Sequence, residues 1–166
     1  MQVLHTERML MRPLRLEDAQ ALNRLNSDQQ VMRHIGPLQT SVALTRQYLK
    51  DSPLRDYQLY GYGRHALVHQ ANNEFIGFCG LKFLPDFNEV DIGYRLLPSY
   101  WGQGLAFEAA QAAMQFGKEQ LGLKRIIGMA MPDNQASIRL LQKLGMQYEK
   151  QVTHLGTECV YYAIEY

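Results

Sequence analysis

Gly102 and Gly104, separated by Gln103 and followed at once by the alanine-rich run Leu105-Ala106-Phe107-Glu108-Ala109-Ala110, are the residues of this chain best placed by type and spacing to hold an anion. Glycine admits positive φ and lets a ligand approach the main chain, while the first-turn N–H groups of a helix lack intrahelical partners and present partial positive charge. Phosphate held by backbone is the chemistry this turn offers. Two familiar phosphate sites are excluded by spacing. The run lacks the Gly-Lys-Ser/Thr ending of a nucleoside triphosphatase and the three-glycine fingerprint of a dinucleotide site.

Two flanking segments carry the other candidates. Upstream, Glu89-Val90-Asp91-Ile92-Gly93-Tyr94-Arg95-Leu96-Leu97 alternates as a strand does and stops at Pro98, with Asp91, Gly93, Arg95 and Leu97 sharing one face. Gly93 signals a bulge or a close backbone approach, either of which would splay the strand and free main-chain groups, or it is simply a packing glycine. Asp91 could serve as a general base, or pair with Arg95 or another cation; Glu89, nearer the turn, is a second candidate. Downstream, Pro132 ends a strand and Asp133 or Asn134 can cap the next helix. Ser137 lies one turn in, on a face that could look back toward the glycine turn. Capping alone and capping plus a ligand contact both account for this segment.

The elements that must position these residues are legible from periodicity. Arg8 to Leu14 reads as a strand, Glu17 to Leu25 as a helix with Ala19, Leu22 and Leu25 on one face, and Ser41 to Lys50 as a second helix capped by Thr40 or Ser41. Arg64 to His69 and Glu74 to Leu84 flank Asn72-Asn73 as a hairpin, and Pro85-Asp86-Phe87-Asn88 makes the next reversal. A helix from Gly104 to Phe116, a strand from Lys124 to Met131, and a helix from Asn134 to Leu144 ended by Gly145 follow. Strands from Gln147 to Val152 and Thr157 to Glu165 close the chain around Leu155-Gly156. With no repeat, linker or low-complexity tract, residues 1–166 read as one mixed α/β domain.

The pattern Trp101-Gly102-Gln103-Gly104-Leu105-Ala106 resembles the acyl-CoA loop of the Gcn5-related N-acetyltransferases, with Trp101 in place of the usual Gln or Arg. It resembles in particular the RimJ/RimL-like branch of ribosomal-protein N-terminal acetyltransferases, where an aromatic residue followed by Trp-Gly-x-Gly is familiar. Thr6 to Leu14, Phe75 to Leu81, Asp91-Ile92-Gly93-Tyr94 and Pro132 to Met146 extend the likeness in order and spacing along nearly the whole chain. The resemblance implies a mixed, mostly antiparallel central sheet splayed at an acetyl-CoA cleft and flanked by helices. It implies direct acetyl transfer from acetyl-CoA to a primary amine, with a protein N-terminal α-amine as the foremost acceptor and polyamines, amino sugars or amino-acid derivatives as competitors. A non-catalytic CoA-binding sensor of the same fold is the alternative from another class.

Carried over residue by residue, the resemblance puts the cofactor on Gly102, Gln103, Gly104, Leu105 and Ala106, on main-chain N–H groups between Arg95, Leu96 and Leu97, and on Asn134 and Ser137. Asp91 becomes the base, with Glu89 or a water chain as substitutes. The tyrosine that many relatives use to protonate the thiolate is replaced by Leu141, so Ser137 is the hydroxyl assigned to the CoA sulfur. No metal is required.

A length of 166 residues, 46% hydrophobic and 20% charged, is a globular balance, and a formal net charge of +1 provides no general field for nucleic acid or a membrane surface. No apolar run is long enough to span a bilayer and the N-terminus lacks the look of a signal peptide, so a cytoplasmic protein is expected, compatible with a homodimer. Cys79 and Cys159 read as small buried hydrophobes without a disulfide. His65 and His69, four apart in a strand, do not make a zinc site. Lys118, Lys124 and Arg125 could steer a CoA phosphate or simply solvate a helix end. Tyr57, Tyr60, Tyr62 and His34 could shape an acceptor channel, or pack as such residues ordinarily do.

Overall fold

Strand-forming and helix-forming stretches segregate along this chain, and the computed structural model, which describes all 166 residues, shows what they build. The strands are β1 (Leu4–His5), β2 (Met9–Pro13), β3 (Arg64–His69), β4 (Glu74–Leu84), β5 (Glu89–Leu96), β6 (Arg125–Ala130), β7 (Gln147–His154) and β8 (Thr157–Glu165). The helices are α1 (Ala19–Asn26), α2 (Gln29–Met32), α3 (Val42–Asp51), α4 (Pro53–Tyr60), α5 (Leu105–Glu119) and α6 (Gln135–Lys143). The strands form one eight-stranded sheet in the order β1-β2-β3-β4-β5-β6-β8-β7. Every neighbouring pair is antiparallel except β5 and β6. A parallel pair cannot be joined by a hairpin, so the chain crosses over between them, and α5 is that crossover.

Alternation sends the two faces of the sheet into separate cores. Met9, Met11, Leu67, Cys79, Ile92 and Leu96 pack with Ala109, Ala110 and Ala113 of α5. Residues between them in sequence, Ala66, Phe78 and Leu97, pack with Leu22, Leu25, Val31 and Leu49 of the α1 to α3 layer. The small side chains of α5 let it lie close against β4 and β5, and the helices between β2 and β3 form the opposite layer.

The main departures from sequence expectation are short or abrupt elements. The four-residue α2 carries no full period of pattern, and its visible signal is Asp28, whose carboxylate accepts from the N–H groups of Gln30 and Val31. Helix α4 starts at Pro53, a favourable first helical position, directly after Ser52 ends α3. It puts Tyr57 on a helix, where the side chain is anchored by accepting from Leu14 N–H at 3.0 Å and donating to the Arg64 carbonyl.

Gly93 makes no bulge with β4: the register runs without a shift through Gly80↔Gly93. The residue answers to close approach instead, since a Cβ there would lie 2.4 Å from Nη2 of Arg64. The splay lies on the other edge of β5, where the parallel pairing with β6 consists of Asp91↔Ile127. Beyond that pair no further register pairing joins the two strands.

His65 supplies a test of this packing. Its ring is buried, Nε2 lies 2.9 Å from the carbonyl of Gln2 and so carries the proton, and Nδ1 has no partner. Burial pushes its pKa below the ordinary value, with the Gln2 carbonyl opposing. A histidine whose folded pKa is depressed costs stability once the unfolded chain begins to take up its proton. The melting temperature is therefore expected to fall as pH drops below about 6.5, and that slope should flatten in His65→Gln, as scanning calorimetry between pH 8 and 5 would read. An unchanged slope would place the acid sensitivity elsewhere.

Candidate active site

Where β5 parts from β6, a cleft of about 730 Å³ opens between the strand ends and the helices α5 and α6. One wall is Tyr94, Arg95 and Leu96 of β5; another is Gly102, Gly104 and the first turn of α5; a third is Asn134, Ser137, Arg139 and Lys143 at and along α6. The segment from Gln30 to Ile35, at α2, closes the remaining side.

The glycine turn takes the geometry its residues permit. Gly102 and Gly104 sit at φ +71° and +79°, in the left-handed region, and space beside Gly102 is open. Gly104 is the residue preceding α5 and no side chain caps the helix, so its first N–H groups face outward at the positive end of a fifteen-residue helix. Arg8 holds the turn from behind. Its Nη1 donates to the Gln103 carbonyl at 2.8 Å, while its Nε and backbone N–H donate to the Glu108 carboxylate at 2.7 and 2.9 Å. Trp101 locks the approach by donating from Nε1 to the Leu96 carbonyl at 2.8 Å. The departure at Trp101 thus ties the turn to the strand end.

That bond also fixes which main-chain groups of β5 are available. Leu97 N–H donates to Ile76 at 2.8 Å, inside the β4 ladder. In an antiparallel pair the bonded direction alternates, so Arg95 N–H belongs to the ladder too, and Leu96 N–H turns toward the cleft. Of the main-chain groups expected from Arg95, Leu96 and Leu97, the structure turns that of Leu96 to the cleft.

On α6, Asn134 Oδ1 accepts from Ser137 N–H at 3.2 Å, which is the capping expected, and both residues line the cleft. Ser137 Oγ has no partner within the protein, whereas Leu141 is buried under Gly128 and offers nothing to the cavity. Tyr94 adds a hydroxyl that sequence reasoning passed over: it lies 3.5 Å from the Ser137 carbonyl, and burial pushes its pKa up to about 12, so it keeps its proton throughout the neutral range.

The two carboxylates considered as bases do not line this cleft. Asp91 is 8% exposed and ion-paired with Arg64 at 2.5 Å, not with Arg95. Burial pushes its carboxyl upward while Arg64 pulls the other way. Glu89 pairs with Arg125 at 2.8 Å. Arg125, also bound to Glu149 and Glu165, lies outside the cleft lining, as do Lys118, stacked on Tyr166, and Lys124. The cations that do line it are Arg33, Arg95, Arg139 and Lys143. Arg139 and Lys143, four apart on one helix face, had a sequence signal in that spacing. His34 lines the cleft and meets Asp133 at 3.3 Å from across the rim; the tyrosines 57, 60 and 62 do not line it. No cluster of His, Cys, Asp or Glu could hold a metal ion, both cysteines are free and buried, and no helix is long and apolar enough to cross a membrane.

A mixed sheet splayed at its parallel pair, with an uncapped helix start behind a glycine turn and an outward-facing strand N–H beside it, defines an acyl-CoA-dependent acyltransferase. The chain belongs to the acetyltransferase (GNAT) family, whose domain model matches residues 8–147. It is 35% identical to the uncharacterized N-acetyltransferase p20 of Bacillus licheniformis over 90% of this chain and 84% of that one. It is 28% identical to the spermidine N(1)-acetyltransferase of Escherichia coli strain K12, covering 87% and 75% of the two chains. Its fold superposes on RimL, a ribosomal L7/L12 α-N-protein acetyltransferase solved with coenzyme A, at a TM-score of 0.82 and 20% identity, over 99% and 98% of the chains. The protein is an acetyl-CoA-dependent N-acetyltransferase.

Proposed function

We propose that this enzyme acetylates an α-amine, with a protein or peptide N-terminus as the foremost acceptor. The observation that carries this reading is the absence of any carboxylate among the residues lining the cleft. An amine must lose its proton before it attacks. An α-amine, with a pKa of about 8, supplies a sizeable neutral fraction near neutral pH, whereas a side-chain or polyamine nitrogen near 10 needs a base or a long wait. A polycation would also enter a cavity lined by Arg33, Arg95, Arg139 and Lys143, with no acidic group in the lining and Asp133 at the rim turned to His34.

The residues present fit acetyl-CoA. The glycine turn and the first turn of α5 suit its pyrophosphate, Arg139 and Lys143 add positive charge on the facing helix, and Asn134 and Ser137 border the path inward. When bound, acetyl-CoA supplies the thioester whose acyl carbon accepts the amine. Leu96 N–H polarises the carbonyl oxygen, a contact of the kind that strengthens as charge develops there. The new C–N bond replaces the C–S bond. Ser137 Oγ donates to the departing sulfur, with the protonated Tyr94 hydroxyl close behind it, and the proton released by nitrogen leaves to water. Asp91, held by Arg64, acts on the strand's charge balance and not on the substrate.

The test is thiol release with acetyl-CoA against three acceptor groups in one buffer: peptides with free N-termini, polyamines and amino sugars. Peptides are expected to turn over with kcat/KM at least tenfold above spermidine, in line with the roughly hundredfold difference in neutral amine at pH 7.5 partly offset by intrinsic nucleophilicity. Preference for spermidine would overturn the α-amine reading, and acetyl-CoA binding without turnover on any amine would make the protein a sensor.

A further inference from the structure

Arg95 is the one cation of the cleft wall that the strand itself delivers, and its surroundings leave it unsatisfied. Alternation along β5 sends its side chain to the face opposite Tyr94 and Leu96, away from the glycine turn and toward the α1 and α2 layer. There Nη1 donates to Oδ1 of Asn26 on α1, and the guanidinium carbon lies 5.0 Å from the centroid of the Phe78 ring. Nε is buried without a partner, Nη2 makes no hydrogen bond, and no carboxylate comes within ion-pair distance. The other arginines of the sheet's interior differ: Arg64 holds Asp91 and Arg12 holds Asp18 at 2.7 Å. Burial without a counter-ion pulls the Arg95 pKa down to about 10.

A buried guanidinium is ordinarily matched by an acid, because taking a charge out of water is costly and a counter-ion offsets that cost. Here the fold places it in a cavity wall, one residue from the N–H that faces the reacting carbonyl. Arg33 lines the same cavity near α2. The positions assigned to cofactor phosphates, at the start of α5 and on α6, lie on the other side of the strand from the Arg95 side chain.

We infer that Arg95 is a specificity-determining residue that binds a carboxylate of the acceptor, so that the favoured substrate is an α-amine bearing a nearby carboxylate. The inference rests on the acetyl-transfer reading above and names the acceptor class of that site. Such a carboxylate has two sources, the side chain of an acidic residue near a peptide N-terminus or the α-carboxylate of a free amino acid. A planar guanidinium whose Nη2 makes no bond within the protein, beside an unpartnered Nε, suits either.

The experiment compares kcat/KM for paired acceptors at saturating acetyl-CoA. One arm uses C-terminally amidated peptides that differ by Asp or Asn at the second position; the other uses serine against serinamide, and in both arms each rate is divided by the fraction of neutral amine at the assay pH, because a free α-carboxylate makes the α-amine more basic. The expected result is a preference of about tenfold or more for the carboxylate member of at least one pair, the size of one charge-assisted bond, and the arm that shows it identifies the source. In Arg95→Met the ratio should collapse to near one, and Arg95→Lys should keep part of it. A ratio is independent of the folded fraction, and calorimetric titration with acetyl-CoA, expected to stay within about twofold of the parent, separates acceptor binding from cofactor binding. Equal rates within both pairs would overturn the role of Arg95 while leaving the acetyltransferase standing, as would a preference that survives in Arg95→Met. Acetyl-CoA binding with no turnover on any α-amine would overturn both.

Discussion

Replacing Gly104 by valine is expected to weaken acetyl-CoA binding by about ten- to a hundredfold while leaving the sheet intact. Gly104 holds φ +79° as the residue before α5, where a β-branched side chain costs on the order of 1 to 3 kcal/mol. Space is not the obstacle, since the nearest atom to an added Cβ is Arg8 Nη2 at an ordinary 3.5 Å. Strain will be relieved where it is cheapest, by turning the Gly102 to Gly104 segment, and that moves the N–H groups that face the phosphates. Because this free energy opposes the binding-competent loop and not the core, the thermal midpoint should shift much less than the affinity. Calorimetric titration of acetyl-CoA with both proteins reads the first quantity and circular dichroism melting the second. An unchanged affinity would show that the turn does not hold the cofactor.

Asp91→Ala should cost stability first and activity as a consequence. The substitution leaves the Arg64 guanidinium buried against Gly93 and the Gly80 carbonyl with no counter-ion, a loss of about 3 to 5 kcal/mol for a broken buried pair. For a chain of this length that amounts to a fall of roughly 6 to 20 °C in Tm. The informative variant is the double one, Arg64→Met with Asp91→Leu, because replacing both partners of a buried pair by apolar groups of similar size is often neutral or stabilising. If Asp91 is structural, the double variant regains stability and keeps turnover within a few-fold of the parent. If Asp91 is the general base, stability returns and kcat stays down by a factor of about a hundred or more. The pair of measurements therefore separates the two roles that a lone strand carboxylate offered from sequence.

Most of the frame was legible beforehand because its signals are local. Strands β3, β4 and β8 follow from alternation between turn residues, and their ends coincide with those expected. Helices α5 and α6 follow from glycine and asparagine starts before apolar periods. Helices α2 and α4 were not legible, one being too short to show a period and the other lying directly against the end of α3. Ser137 and Asn134 reached the cleft wall because a cap and the residue one turn along must share a helix end.

What escaped sequence reading is the pairing between distant residues. Arg8 reaches Gln103 and Glu108, about a hundred positions away. Arg64 takes Asp91 because β3 and β5 flank β4, and Arg95 is left without an acid because its face of the sheet offers Asn26 and Phe78 instead. By itself the sequence determined the glycine turn, the helix behind it, the order of the longer strands and helices apart from α2 and α4, and with the motifs they carry the family. Periodicity, caps and turn residues act over a few neighbouring positions and leave a direct trace in the chain. Only the tertiary structure decided which strand N–H faces the cleft, which carboxylates are held in ion pairs and which buried guanidinium is left without an acid. Those outcomes depend on sheet register and on which face meets which helix layer, and no local spacing encodes either.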